Sequence, residues 1–185
     1  STELITEMMG LHQGSLMLLG PTLDPKTAFT LSMRLPHLPL RMAEHSRRAQ
    51  LFAERMQAMG LRVHYPGLPS HPDHAILQRI ANPRFGAGGI VALDTGSREQ
   101  AHHLMDVLQH EEAFGFIAVS LGYHHTLMSC SATSTSSELD EDELTAAGVA
   151  PGLVRISVGY SGDLETRWQQ FERALHRCGL LRQVA

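Results

Sequence analysis

The chain has 185 residues, 43% apolar and 18% charged, which is enough to bury one full core. Its net charge of −4, without any basic block, argues against nucleic acid as the main partner, and no apolar run reaches membrane-spanning length. Two cysteines, Cys130 and Cys178, are too few for a disulfide framework and point to a reducing, cytoplasmic compartment. The opening Ser-Thr-Glu-Leu-Ile has no initiator Met, basic n-region or apolar h-region, so it reads as a chain that starts partway through something longer. Every basic residue except Lys26 is arginine.

In chain order, Asp24-Pro25 places an N-cap before a proline at the first helical position, and predicts a helix that breaks near Pro36 and Pro39. A second helix carries Met42, Ala49, Phe52, Ala53, Met56 and Met59 on one face and stops at Gly60. Ser97-x-x-Gln100 is a capping box ahead of the apolar face Ala101, Leu104, Met105 and Leu108. Asp140-x-x-Glu143 repeats the device for a short helix closed by Gly148. The last helix carries Leu164, Trp168, Phe171, Leu175 and Cys178, with Asp163 and Glu165 at its start and Arg173, His176 and Arg177 near its end. Strands are predicted at Arg62–Tyr65, Gly89–Asp94, Phe116–Ser120, Leu127–Ser131 and Leu153–Val158. This order implies an α+β module, a sheet with helices on one face entered through a long broken helix.

The strand Leu153–Val158 holds the first candidate site residue. Val154, Ile156 and Val158 alternate onto one face, leaving Leu153, Arg155 and Ser157 on the other. A guanidinium on a rigid strand can grip a carboxylate with two parallel hydrogen bonds; alternation alone equally allows a structural ion pair. Ser120-Leu121-Gly122, at the end of a strand expected to be buried over Phe116–Val119, is the second, since ligand contacts and plain turn chemistry both favour such places. Among 12 histidines, His71-x-x-His74, His102-His103 and His124-His125 have no cysteine at a zinc spacing and form no His-Glu-x-x-His motif, so no metal is expected. Neither cysteine has a base partner in sequence. Gly86-Ala-Gly-Gly89 leads into a strand rather than a helix and reads as a bend, not a phosphate loop.

Four ordered segments resemble the Cys/Met-metabolism family of pyridoxal-phosphate (PLP) enzymes. They are Leu19-Gly-Pro-Thr-Leu-Asp-Pro25 with Leu38-Pro-Leu-Arg-Met42 and His45; Tyr65-Pro-Gly-Leu-Pro-Ser-His-Pro72; Ala118-Val-Ser-Leu-Gly122; and Gly148-Val-Ala-Pro-Gly-Leu-Val-Arg-Ile-Ser-Val-Gly159. The resemblance runs from near residue 1 to about residue 178, and Met17-Leu-Leu-Gly-Pro21 and Leu127-Met-Ser-Cys-Ser131 look most like the methionine γ-lyases of plants and their relatives. It implies the C-terminal module of a fold-type I PLP enzyme, with 1–35 as the tail of the PLP-binding large domain and the start of a linking helix, and 36–185 as the substrate-carboxylate domain. It also implies that Arg155 binds the α-carboxylate of a small amino-acid substrate and that Ser120 helps hold it. Thr135 keeps its family identity in a segment where Ser134 and Ser136 depart from the family's Met and His, and it stands as a substrate-side residue. His124-His125 replaces an acidic residue common in the family.

The Schiff-base lysine of the family lies upstream of the region matched, as do its cofactor contacts, and Lys26 follows Asp24-Pro25 in a different context. No catalytic residue is therefore expected in this chain, which alone should be inactive, while the parent uses pyridoxal 5'-phosphate as its electron sink. The parent reaction implied is γ-elimination of L-methionine or a related substrate by a homo-oligomer, a homotetramer in the family. The alternatives are a cystathionine γ-synthase or homoserine sulfhydrylase part, or a natural non-catalytic binding or oligomerisation module.

Overall fold

A computed structural model describes residues 2–8, 22–134 and 138–181. Thr135 and Ser136, and Leu19, Gly20 and Pro21 of the first motif, lie outside the described residues. The chain divides into two compact units, Ser1–Leu38 and Pro39–Ala185.

The first unit contains helices α1 (Thr2–Met8) and α2 (Pro25–Arg34) and a 3-10 turn, Leu35–His37. Asp24 caps α2 as expected: its carboxylate accepts from the Thr27 N–H at 2.9 Å, and Pro25 follows at the first position. The helix breaks at Pro36, whose ring removes one donor and tightens the turn.

In the second unit, α3 (Leu38–Ala58) buries Ala49, Phe52, Ala53 and Met56, whereas Met42 remains exposed. The chain leaves α3 through Gly60, at φ 77°. The other elements are β1 (Arg62–His64), α4 (His74–Ile80), β2 (Ile90–Asp94), α5 (Arg98–Asp106) continued by a π turn to Glu111, β3 (Gly115–Ile117), β4 (Thr126–Cys130), α6 (Glu141–Ala146), β5 (Leu153–Ser157) and α7 (Leu164–Arg177). Asp140 and Glu143 form the reciprocal box expected of them, at 2.8 and 3.0 Å. Helix α4 has no counterpart in the sequence reading, because its buried face is too weak to show a helical period: none of its residues is fully buried.

The five strands run in the order β1-β2-β5-β4-β3, with only β3 and β4 parallel. One face of the sheet, carrying Val91, Leu93, Met128, Cys130, Val154 and Ile156, packs with Phe52, Met56, Leu104, Leu108, Trp168 and Phe171 from α3, α5, its π continuation and α7. That arrangement is the α+β module expected.

Two local readings need correction. The strand expected at Phe116–Ser120 is shorter, Gly115–Ile117, and is not buried: it is an edge strand, with Phe116 and Ile117 exposed. Its apolar run looks like a central strand in sequence because hydrophobicity does not record position within a sheet. The edge is closed locally, the Ile117 N–H donating to Gln109 Oε1. The strand expected at Leu127–Ser131 begins and ends one residue earlier, Thr126–Cys130, and Ser131 opens a 3-10 turn to Thr133.

Candidate substrate-carboxylate site

Strand β5 lies at the centre of the sheet, so its backbone is fixed by ladders on both sides. Arg155 is the cross-strand partner of Ala92 on β2 and of Ser129 on β4, and Ala92 in turn faces His64 on β1. Cross-strand partners share a face, so His64, Ala92, Arg155 and Ser129 form one row opposite the helix-packed core. Beside the small Ala92 a cleft of about 390 Å³ opens, lined by His64, Pro66, His71, Gly88 and Ile90 among others. Pro66 and His71 of the Tyr65–Pro72 segment singled out in sequence line one side of it.

The two sequence candidates meet here. The Arg155 Nη2 donates to the Ser120 carbonyl oxygen at 3.2 Å. One turn further, the Gly122 N–H donates to Ser157 Oγ at 3.0 Å. Two residues on the same face of β5 therefore hold both ends of the Ser120–Gly122 turn, and the exposed Ser120 is carried to the arginine by its backbone. Gly122, at φ 72°, supplies the left-handed conformation the turn needs. Ser157 was missed as a site residue in sequence, where it reads only as the polar half of an alternating strand.

Helix α3 pins the far end of β5. The buried His45 places Nδ1 2.5 Å from the Val158 carbonyl. A carbonyl only accepts, so Nδ1 carries the proton. Its ring meets Tyr160 edge-on at 5.0 Å. Three residues on, Arg48 pairs with Glu44 at 2.7 Å and donates to the carbonyls of Ser161 and Gly162 at 3.3 and 2.8 Å. The Arg47 guanidinium beside Glu44, with Arg48 adding to it against the cost of burial, holds that carboxyl at about 2. The Gly159 N–H donates to Thr126 Oγ1 at 3.0 Å, tying the same turn to β4. Of these positioning residues only His45 and Gly159 fall within motifs noted in sequence, because the bonds that tie β5 to α3 and β4 span more than 30 residues.

The remaining polar candidates serve local structure. His74 Nδ1 lies 2.9 Å from the Pro66 carbonyl, and His71 Nδ1 accepts from the Asp73 N–H. His125 Nδ1 lies 3.0 Å from Ser161 Oγ, and burial, with His124 and Arg167 nearby, pushes its pKa down. Among the described residues no group of three or more His, Cys, Asp or Glu could hold a metal ion. Burial raises the Cys178 thiol pKa, which disfavours the nucleophilic thiolate.

A five-stranded sheet with helices packed on one face is the fold shared with solved fold-type I PLP enzymes. The chain belongs to the Cys/Met metabolism PLP-dependent enzyme family, whose profile matches residues 4–176. It is 56% identical over 177 residues to a methionine gamma-lyase of Arabidopsis thaliana, covering 96% of this chain and 40% of that protein. An O-succinylhomoserine sulfhydrylase of Pseudomonas aeruginosa is 34% identical over 149 residues, covering 79% and 35%. The crystal structure of a cystathionine gamma synthase from Xanthomonas oryzae, in complex with aminoacrylate and cysteine, superposes with a TM-score of 0.76 at 27% identity, covering 88% and 41%. The chain thus spans about two fifths of the length of the relatives it matches.

A lysine that condenses with an aldehyde near neutral pH must be brought to its neutral form, which burial or a neighbouring cation achieves. Lys26, the only lysine, is instead exposed in the first turn of α2.

Proposed function

We propose that this chain is the carboxylate-recognising part of a PLP-dependent carbon–sulfur lyase of the methionine gamma-lyase kind, acting by γ-elimination on L-methionine or a related amino acid. Residues 1–35 would close the PLP-binding domain of the parent, and 36–185 would form the domain that grips the substrate. The observation that carries the reading is Arg155, held on the central strand and tethered to the Ser120 carbonyl at 3.2 Å. A guanidinium so held presents its remaining N–H groups to an acceptor-only anion with little loss of its own freedom. In this role Arg155 and Ser120 orient the amino acid by its carboxylate, and thereby set where its α-proton points; the proton acceptor and the cofactor belong to residues outside this chain. The 56% identity to a methionine gamma-lyase favours elimination over the replacement chemistry of the sulfhydrylase and synthase relatives, and an amino acid bound in the Xanthomonas enzyme supports the carboxylate reading. The parent is expected to be a homo-oligomer. No helix among the described residues is long and apolar enough to cross a membrane.

Equilibrium dialysis with labelled L-methionine tests the binding role: the chain should retain the amino acid, and Arg155→Ala should lose it while keeping its melting temperature. The chain alone should release no thiol from L-methionine, and borohydride reduction with PLP should leave no adduct on Lys26. Turnover by the chain alone would contradict the assignment of the catalytic half elsewhere.

A further inference from the structure

Two donors in the row beside the Ser120 turn have no hydrogen-bond partner among the described residues: Arg155 Nε and Ser129 Oγ, both buried. Ser129 is 3% exposed and is the direct cross-strand partner of Arg155, on the same face of the sheet. Elsewhere in this region the buried polar side chains are satisfied: Ser157 Oγ accepts from Gly122, Thr126 Oγ1 accepts from Gly159, and Ser46 Oγ accepts from Gly88. Buried donors in folded proteins are nearly always paired, and those that are not mark a place where something else completes them. Here two of them sit at adjacent positions, and the arginine's Nη2 is already committed to Ser120.

We propose that Ser129 is a further carboxylate-positioning residue, its hydroxyl and Arg155 Nε converging on one carboxylate oxygen of the bound amino acid. This rests on the carboxylate reading of Arg155. A carboxylate oxygen has lone pairs for both donors and no proton to offer, so it satisfies the two groups at once.

The test is a heteronuclear NMR titration of the full chain, following the Arg155 Nε–H resonance as L-methionine is added, with L-methioninamide, which lacks the carboxylate, as the control. The unsubstituted chain should show a saturable shift with methionine and none with the amide. Ser129→Ala should keep its melting temperature, bind about fivefold more weakly and show a smaller Nε–H shift at saturation. Ser129→Thr, which retains the hydroxyl, should bind within about twofold of the unsubstituted chain. If Arg155→Ala abolishes binding while Ser129→Ala matches the unsubstituted chain in affinity and shift, the role of Ser129 is overturned and the carboxylate reading stands. Equal weakening in the Ala and Thr variants also overturns it. No saturable shift in the unsubstituted chain, or an equal response to the amide, overturns both.

Discussion

A guanidinium borne on a central β-strand starts from a backbone already fixed by two ladders, so the fork has only its side-chain torsions left to lose when it engages an anion. Arg155 gives up part of those to the Ser120 carbonyl before any ligand arrives. Arg155→Lys would keep the charge but replace a planar fork by a compact ammonium on a flexible stem. We expect it to weaken L-methionine binding by roughly tenfold, the loss of about 1.4 kcal/mol that one charge-assisted hydrogen bond represents, with no change in the circular dichroism spectrum. Calorimetric titration of the two proteins checks this. Glu44 supports the same strand through Arg48. Its carboxyl is held at about 2, below the ordinary 4.5, by the Arg47 and Arg48 guanidinia. A depressed folded-state value means a stabilising contribution that is full above about 4.5 and lost as the pH falls through about 2. Glu44→Gln should thus cost about 1 kcal/mol at neutral pH, discounted for solvent screening of a partly exposed pair, and almost nothing near pH 2. Urea denaturation of both proteins across that range reads the difference directly.

At the scale of elements, the site depends on how tightly the end of β5 lies against β4. Gly159 approaches the backbone at the start of β4 so closely that an added Cβ would fall 2.4 Å from the His125 carbonyl carbon and 2.5 Å from the Thr126 nitrogen. Both are backbone atoms, so neither can swing away as the tip of a side chain would. Gly159→Ala should destabilise the chain by about 2 kcal/mol or more, through forced separation of the two strands. It should also weaken methionine binding, because the same strands carry Arg155 and Ser129. The contrast with Gly148 is instructive: nothing lies within 4 Å of its added Cβ, and there only the left-handed φ of 70° disfavours a side chain. Thermal unfolding followed at the two positions separates the close approach from the conformational cost.

For the molecule, one core holds the second unit together, with a cluster of aromatic rings within it. Phe52 on α3 meets Trp168 and Phe171 on α7 at ring-centroid distances of 5.2 and 5.6 Å, and Phe114 ahead of β3 at 5.8 Å. It is 2% exposed, so Phe52→Ala would empty a space bounded on three sides by large rings. We expect a loss of about 3–5 kcal/mol, read as a shift of the urea midpoint at unchanged slope. Since α3 also carries His45 and Arg48 onto the end of β5, the same substitution should loosen the carboxylate site without touching it.

The sequence by itself determined those features whose physics is local. Caps at Asp24, Ser97 and Asp140 were legible because each side chain bonds a backbone group only three residues on. The alternation of Leu153–Val158 was legible because a strand's faces repeat every two residues, and this alone turned Arg155 away from the core. The four ordered motifs pointed to the family for the same reason, as short unbroken stretches. What only the tertiary structure decided involves partners distant in the chain. That β3 is an exposed edge follows from strand order, which no window of sequence contains. That Ser120 meets Arg155 through its carbonyl, across 35 positions, could not be read from either segment. His45, Arg48, Ser157 and Ser129 acquire their parts at the site in the same way: each is an ordinary residue of its own helix or strand, and the geometry that matters arises where α3, β4 and β5 come together.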